Sequence, residues 1–249
     1  MEAWQLAVAA AGSFVAGYLG SALGLVLGTL RLPLIILLAS SPGTAAGTNI
    51  GISAASAAAG SVRHARAGRV SWPVVGWMLP PSVAGAFLGG YFGGEIPDQV
   101  LLGVAAAILL FNGVDLLVRP FHAAPRTRLR IAPAVVGGFG IGALGGAIGV
   151  ILGTMRMPVL LRGVGMTAAR AVGTNLVVGF AVGVVGLAAH AARLEVEWSL
   201  LAAGAPAALV GGWLGAKVTG RLSELVLRRA IGAALVVIAV ALAVEAALS

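Results

Sequence analysis

The feature that most constrains this chain is an internal repeat. Residues 24–34 read GLVLGTLRLPL and residues 149–159 read GVILGTMRMPV, and six of the eleven positions are identical. Gly47-Thr48-Asn49 then matches Gly173-Thr174-Asn175, Gly60 matches Gly186, His64 matches His190 and Trp72 matches Trp198. Pro80, Gly85 and Gly89 match Pro206, Gly211 and Gly215. The offset is 125 residues in the first motif and 126 afterwards, so one residue is inserted early in the second copy. Self-similarity at a fixed period marks a duplicated structural unit. The chain divides into a first repeat, residues 1–122, and a second, residues 123–249, joined by the stretch Arg119–Arg130.

Neither repeat is polar enough to sit in water. Hydrophobic residues make up 59% of the chain and charged residues 10%, against about 25% charged in a soluble domain. A helix crossing the bilayer core of about 30 Å needs about 20 apolar residues. Apolar segments run over 3–22, 24–41, 44–62, 72–94 and 98–118 in the first copy. In the second they run over 131–147, 149–165, 168–190, 198–216 and 229–248. The pattern predicts an all-α polytopic membrane protein of about 8–10 transmembrane segments, with little chain left for any other domain. The second segment of each copy carries Gly28 and Pro33, or Gly153 and Pro158. These predict a broken helix, because Pro removes a backbone donor and Gly weakens the turn. The 38 glycines suit helices that pack backbone to backbone. The N-terminus, MEAWQLAVAAAGSFVAG, has Glu2 and no basic n-region, so it reads as a retained span rather than a signal peptide. There is no cysteine, which removes disulfides, thiolate metal sites and Cys nucleophiles.

The net charge is +8. A nucleic-acid partner would need a polar face to display the cations, and the composition leaves none. Loop arginines on the cytoplasmic side set topology instead. If all five segments of each copy cross, the repeats are inverted and both termini lie outside. The inside loops then hold Arg63, Arg66 and Arg69; Arg119, Arg126, Arg128 and Arg130; Arg162 and Arg170; and Lys217, Arg221, Arg228 and Arg229. The outside loops hold Glu2, Glu95, Asp98, and Arg193 with Glu195 and Glu197. If the broken segment only dips in and returns, the repeats are parallel, and Arg63–Arg69 and Lys217–Arg229 fall on opposite sides. The positive-inside rule favours inversion.

Arg31 and Arg156 are the candidate binding residues. They occupy equivalent places inside apolar runs, where a buried Arg costs about 2.5–3.5 kcal/mol. No acidic residue lies at equivalent depth, so the partner expected is a small anion, held by a planar fork of donors. The competing reading is that each Arg caps carbonyls freed by the broken helix. Thr29 and Thr154 precede the arginines by two residues. Thr48-Asn49 and Thr174-Asn175 lie in the next helix. Small polar side chains near half-helix N-termini make an anion cradle, although Thr and Asn also hydrogen-bond between membrane helices. His64 and His190 are candidates for proton coupling, or else end their helices on backbone. Asp115 is expected to pair with Arg119, four residues on. Ser53 opposite His190 would be needed for an intramembrane enzyme. No metal-ligand or cofactor motif is present.

A glycine-rich first helix, a broken segment ending in Pro, an A-x-G-T-[NS] helix and a His–Gly–Trp-like loop, all duplicated, resemble the TauE/SafE family of sulfite exporters, also called the toluene-sulfonate uptake permease family. The resemblance runs from about Gly12 to about Ala247. It implies a multi-pass secondary permease of the bacterial inner membrane for sulfite, sulfoacetate, other sulfonates or small organic anions. The expected mechanism is alternating access around a central two-Arg site. An anion channel is the alternative, and an intramembrane enzyme the third. The expected partners are the anion, the bilayer and, as a candidate, a second copy in a homodimer; no cofactor and no metal are expected.

Overall fold

The computed structural model describes residues 2–25, 27–92, 98–118, 129–148 and 153–248. The joining residues 119–128 lie outside these, with Arg119, Arg126 and Arg128; so does Glu95. All described elements are helical: α1 (Ala3–Leu23), α2 (Gly28–Leu38), α3 (Pro42–Arg66), α4 (Trp72–Phe92), α5 (Asp98–Val118), α6 (Ala132–Ile148), α7 (Gly153–Pro158) running into a π-helix (Val159–Val164), α8 (Ala168–Ala192), α9 (Trp198–Thr219) and α10 (Glu224–Leu248). Among the described residues, Ala3–Leu23, Ala168–Ala192, Trp198–Thr219 and Leu225–Val244 are long and apolar enough to cross a bilayer by length and composition. Most segment boundaries read from the sequence lie within a few residues of these helices. The largest differences are at the start of α10 and around the broken segments.

The break in the first copy falls before Gly28. Gly24 closes α1 in the left-handed conformation, with φ 69°, and α2 then runs through Pro33 to Leu38. Its 11 residues span about 16 Å at 1.5 Å per residue, roughly half a bilayer core. In the second copy the helix changes character at Pro158, where α7 gives way to the π-helix. Pro158 removes a donor from the ladder there, and the π-helix, a rare form, begins at the next residue.

The chain forms two compact units, one of residues 1–70 with 172–221 and the other of 71–171 with 222–249. Each unit takes segments from both repeats. In the first unit, α9 packs against α1 and α3, and α2 packs against α3. In the second, α4 packs against α6, and α5 against α10. A core of Ala9, Ile35, Ala45, Ile52, Leu200 and Ala208 fills the first unit.

The same backbone approach recurs inside each unit. A Cβ at Gly211 on α9 would collide with the Phe14 carbonyl of α1. A Cβ at Gly85 on α4 would collide with the Phe139 carbonyl of α6. Gly85 and Gly211 are repeat mates, as are Phe14 and Phe139. Only glycine lets these backbones meet, which is how membrane helices gain contact where no hydrophobic drive exists between them.

Within the first unit, α3 and α8 run antiparallel. A side chain at Gly47, near the start of α3, would strike the Glu195 carbonyl and His190; one at Gly173, near the start of α8, would strike the Arg69 carbonyl and His64.

Candidate functional site

α3 brings most of the first unit's site residues into place. Ser41 caps it, accepting from Thr44 N at 3.2 Å, and Pro42 starts the helix; both devices fix where a helix begins. Asn49 and Ser53 are then four residues apart, one turn along a single face. Arg31, on α2, is only 4% exposed. Its Nε and Nη2 donate to Asn49 Oδ1 at 3.0 and 2.8 Å. Nη2 also donates to the Asn49 carbonyl and to Ser53 Oγ, both at 2.8 Å. Every one of these acceptors is neutral. Arg31 also lines a small cavity with Gly17, Gly28, Ser53, Ser56 and Leu176. The cavity measures about 10 Å³, close to the room one water needs.

The repeat mate is placed differently. Arg156, on α7, is 2% exposed, and its Nε and Nη1 have no hydrogen-bond partner among the described residues. The position matching Ser53 is Gly179, so the second copy has no hydroxyl there. Arg31 lies in the first unit and Arg156 in the second.

The other sequence candidates divide by what they touch. Asn49 Nδ2 donates to the Gly28 carbonyl at 2.9 Å, and Asn175 Nδ2 to the Gly24 carbonyl at 2.6 Å. Both asparagines therefore satisfy backbone at the first broken segment. Thr48 Oγ1 accepts from Glu197 N at 2.7 Å, fixing the entry to α9. Thr154 and Thr174 are buried, as are Gly28, Gly153 and Pro158. The side chains of Thr29 and Pro33 lie outside those described.

His64 is fully buried, and its Nε2 sits 3.3 Å from the Ser21 carbonyl, an acceptor that selects the Nε2–H form. His190 Nδ1 lies 2.7 Å from Glu195 Oε2. Ser53 is held by Arg31 and His190 by Glu195, so no Ser–His dyad forms between them. Asp115 pairs with Arg162 of the π-helix. The pairing with Arg119 expected from an i,i+4 spacing lies outside the described residues. Ser56 is a cavity-lining residue that the sequence did not single out, and Ser53, weighed there only as an enzyme's serine, instead accepts from Arg31; the spacing of Asn49 and Ser53 was the available signal.

Residues 9–242 match the family described as Sulfite exporter TauE/SafE. The chain belongs to that family. It is 28% identical over 209 residues to "Probable membrane transporter protein YtnM" of Bacillus subtilis (strain 168), covering 77% of this chain and 68% of the relative. It is 30% identical over 243 residues to a "Probable membrane transporter protein" of Xylella fastidiosa (strain Temecula1 / ATCC 700964), covering 91% and 90%. No solved structure matches significantly. As a TauE/SafE member with several apolar, membrane-length helices, the protein is a multi-pass membrane transporter.

Proposed function

We propose that this protein is a secondary transporter, in the bacterial inner membrane, of small anions such as sulfite, sulfoacetate or another organosulfonate or short carboxylate. It works by alternating access, with Arg31 and Arg156 supplying the positive charge. The observation that carries this reading is electrostatic. Both guanidinium groups are buried, and neither has a carboxylate partner among the described residues. A buried charge without a counter-charge is costly. An anion that arrives and leaves relieves that cost while it is bound. Guanidinium is always protonated and presents a planar fork to oxyanions. Alternation is supported by the broken segments and by the small cavity beside Arg31. A cavity of water size admits an oxyanion only when its lining moves.

The test is counterflow. Purified protein in liposomes preloaded with unlabelled sulfite is expected to take up labelled sulfite saturably, faster than from empty liposomes. Flux that neither saturates nor accelerates with internal anion would assign a channel. No flux of sulfite, sulfoacetate or short carboxylates would reject the proposal.

A further inference from the structure

The first unit separates its charges along its helices. α1, α3 and α9 finish together: Thr219 at the end of α9 donates to the Ala22 carbonyl of α1 at 2.8 Å, and His64 near the end of α3 meets Ser21. At this end lie Arg63 and Arg66 in the last turn of α3, Arg69 in the loop beyond, Lys217 in the last turn of α9, and Arg221 after it. The unit's described carboxylates sit at the opposite end. Glu2 and Glu197 precede the first turns of α1 and α9, and the Glu195 carbonyl backs Gly47 near the start of α3. The five cations therefore meet no carboxylate of their own unit.

These cations are also organised. Arg63 and Arg66 both lie over the indole of Trp213, 4.9 and 5.9 Å from its ring centre. Arg69 Nη2 donates to the Ala216 carbonyl at 3.1 Å, while its Nε is buried without a partner among the described residues. Burial, with Arg63 beside it, pulls the Arg69 guanidinium below the usual arginine range. In the other copy the matching positions are Ala189, Ala192, Glu195, Tyr91 and Glu95. α8 reaches its end with alanine at two of them, so a helix end of this kind does not require the cations.

The positive-inside rule asks only for loop cations on one side. It does not ask for two guanidinium groups stacked on one indole beside a third with a buried free donor. We propose that this end of the unit is a binding site for the phosphate headgroup of an anionic phospholipid. Guanidinium forks match phosphate oxygens, anionic lipids attract clustered juxtamembrane cations, and Trp213 suits the headgroup level. The site is separate from Arg31 and Arg156, and its test does not depend on transport.

The experiment is native mass spectrometry of the full chain released from bilayers of equal phosphatidylglycerol and phosphatidylcholine. Wild-type protein is expected to retain phosphatidylglycerol over phosphatidylcholine by about tenfold or more, given the attraction expected from several clustered cations. The double variant Arg66→Ala with Arg69→Glu is expected to lose that preference, whereas Arg193→Ala, at the other end, keeps it. Equal retention of the two lipids by wild type overturns the proposal, even if the double variant fails to fold. A preference that survives in a folded double variant also overturns it. Displacement of the lipid by millimolar inorganic phosphate would assign the cluster to free anions and end the lipid assignment.

Discussion

The Arg31 guanidinium donates three hydrogen bonds to Asn49, two to its side-chain oxygen and one to its carbonyl. Asn49 in turn donates to the Gly28 carbonyl, so one amide holds both the cation and the broken segment that carries it. Hydrogen bonds to charged groups contribute about 1.5–3 kcal/mol each. Asn49→Ala is expected to destabilise the protein by about 2–3 kcal/mol, read as a lower melting temperature in detergent. Asn49→Asp is expected to separate fold from function. It loses the donor to the Gly28 carbonyl but supplies Arg31 with a permanent counter-ion that offsets this, so the protein stays folded while anion binding weakens. Anion affinity equal to wild type in a folded Asn49→Asp protein would contradict an anion site at Arg31.

The two arginines are expected to respond unequally. Arg31→Ala strips partners from Asn49 and Ser53, so it should lower the melting temperature more than Arg156→Ala, whose Nε and Nη1 leave no acceptor behind among the described residues. Replacing either with Lys keeps the charge but loses the fork, and anion affinity should fall in both. Melting curves and binding isotherms on all four variants check this.

Ser53 distinguishes the first copy from the second, where Gly179 stands. Ser53→Ala removes one of the three acceptors around Arg31 Nη2 and should cost about 0.5–1.5 kcal/mol. The same loss should be absent when Arg31 is already alanine, a double-mutant cycle that melting temperatures can close.

Gly211 and Gly85 should behave as a matched pair. An added methyl at either meets a helix carbonyl, so Gly211→Ala and Gly85→Ala are each expected to destabilise by about 1–3 kcal/mol. Gly76 on α4 has open space where a Cβ would go, and Gly76→Ala should be neutral or slightly stabilising. Thermal unfolding of the three variants side by side reads the difference.

The helices were legible because each apolar run is bounded by charges, Gly or Pro, and the duplication let one copy check the other. The exchange of segments between units was not legible, because it depends on which glycine meets which carbonyl. Gly85 against Phe139 and Gly211 against Phe14 are far apart in sequence. Nor could spacing show that Asp115 would meet Arg162. Among candidate site residues, the sequence singled out Arg31, Arg156 and both asparagines. It could not tell that Asn175 serves the Gly24 carbonyl while Asn49 holds Arg31, because repeat symmetry predicts like roles for like residues. The difference at Ser53 and Gly179 marks a departure from that symmetry.

The most direct measurement is equilibrium binding of sulfite to purified wild-type protein and to Arg31→Ala, Arg156→Ala and the double variant, with melting temperature recorded on the same samples. Wild type should bind saturably. Each single variant should lose about 2–5 kcal/mol of binding free energy, and the double variant should bind nothing while remaining folded. Binding that is unchanged in folded Arg156→Ala and Arg31→Ala proteins would contradict the assignment of these two arginines to the transported anion.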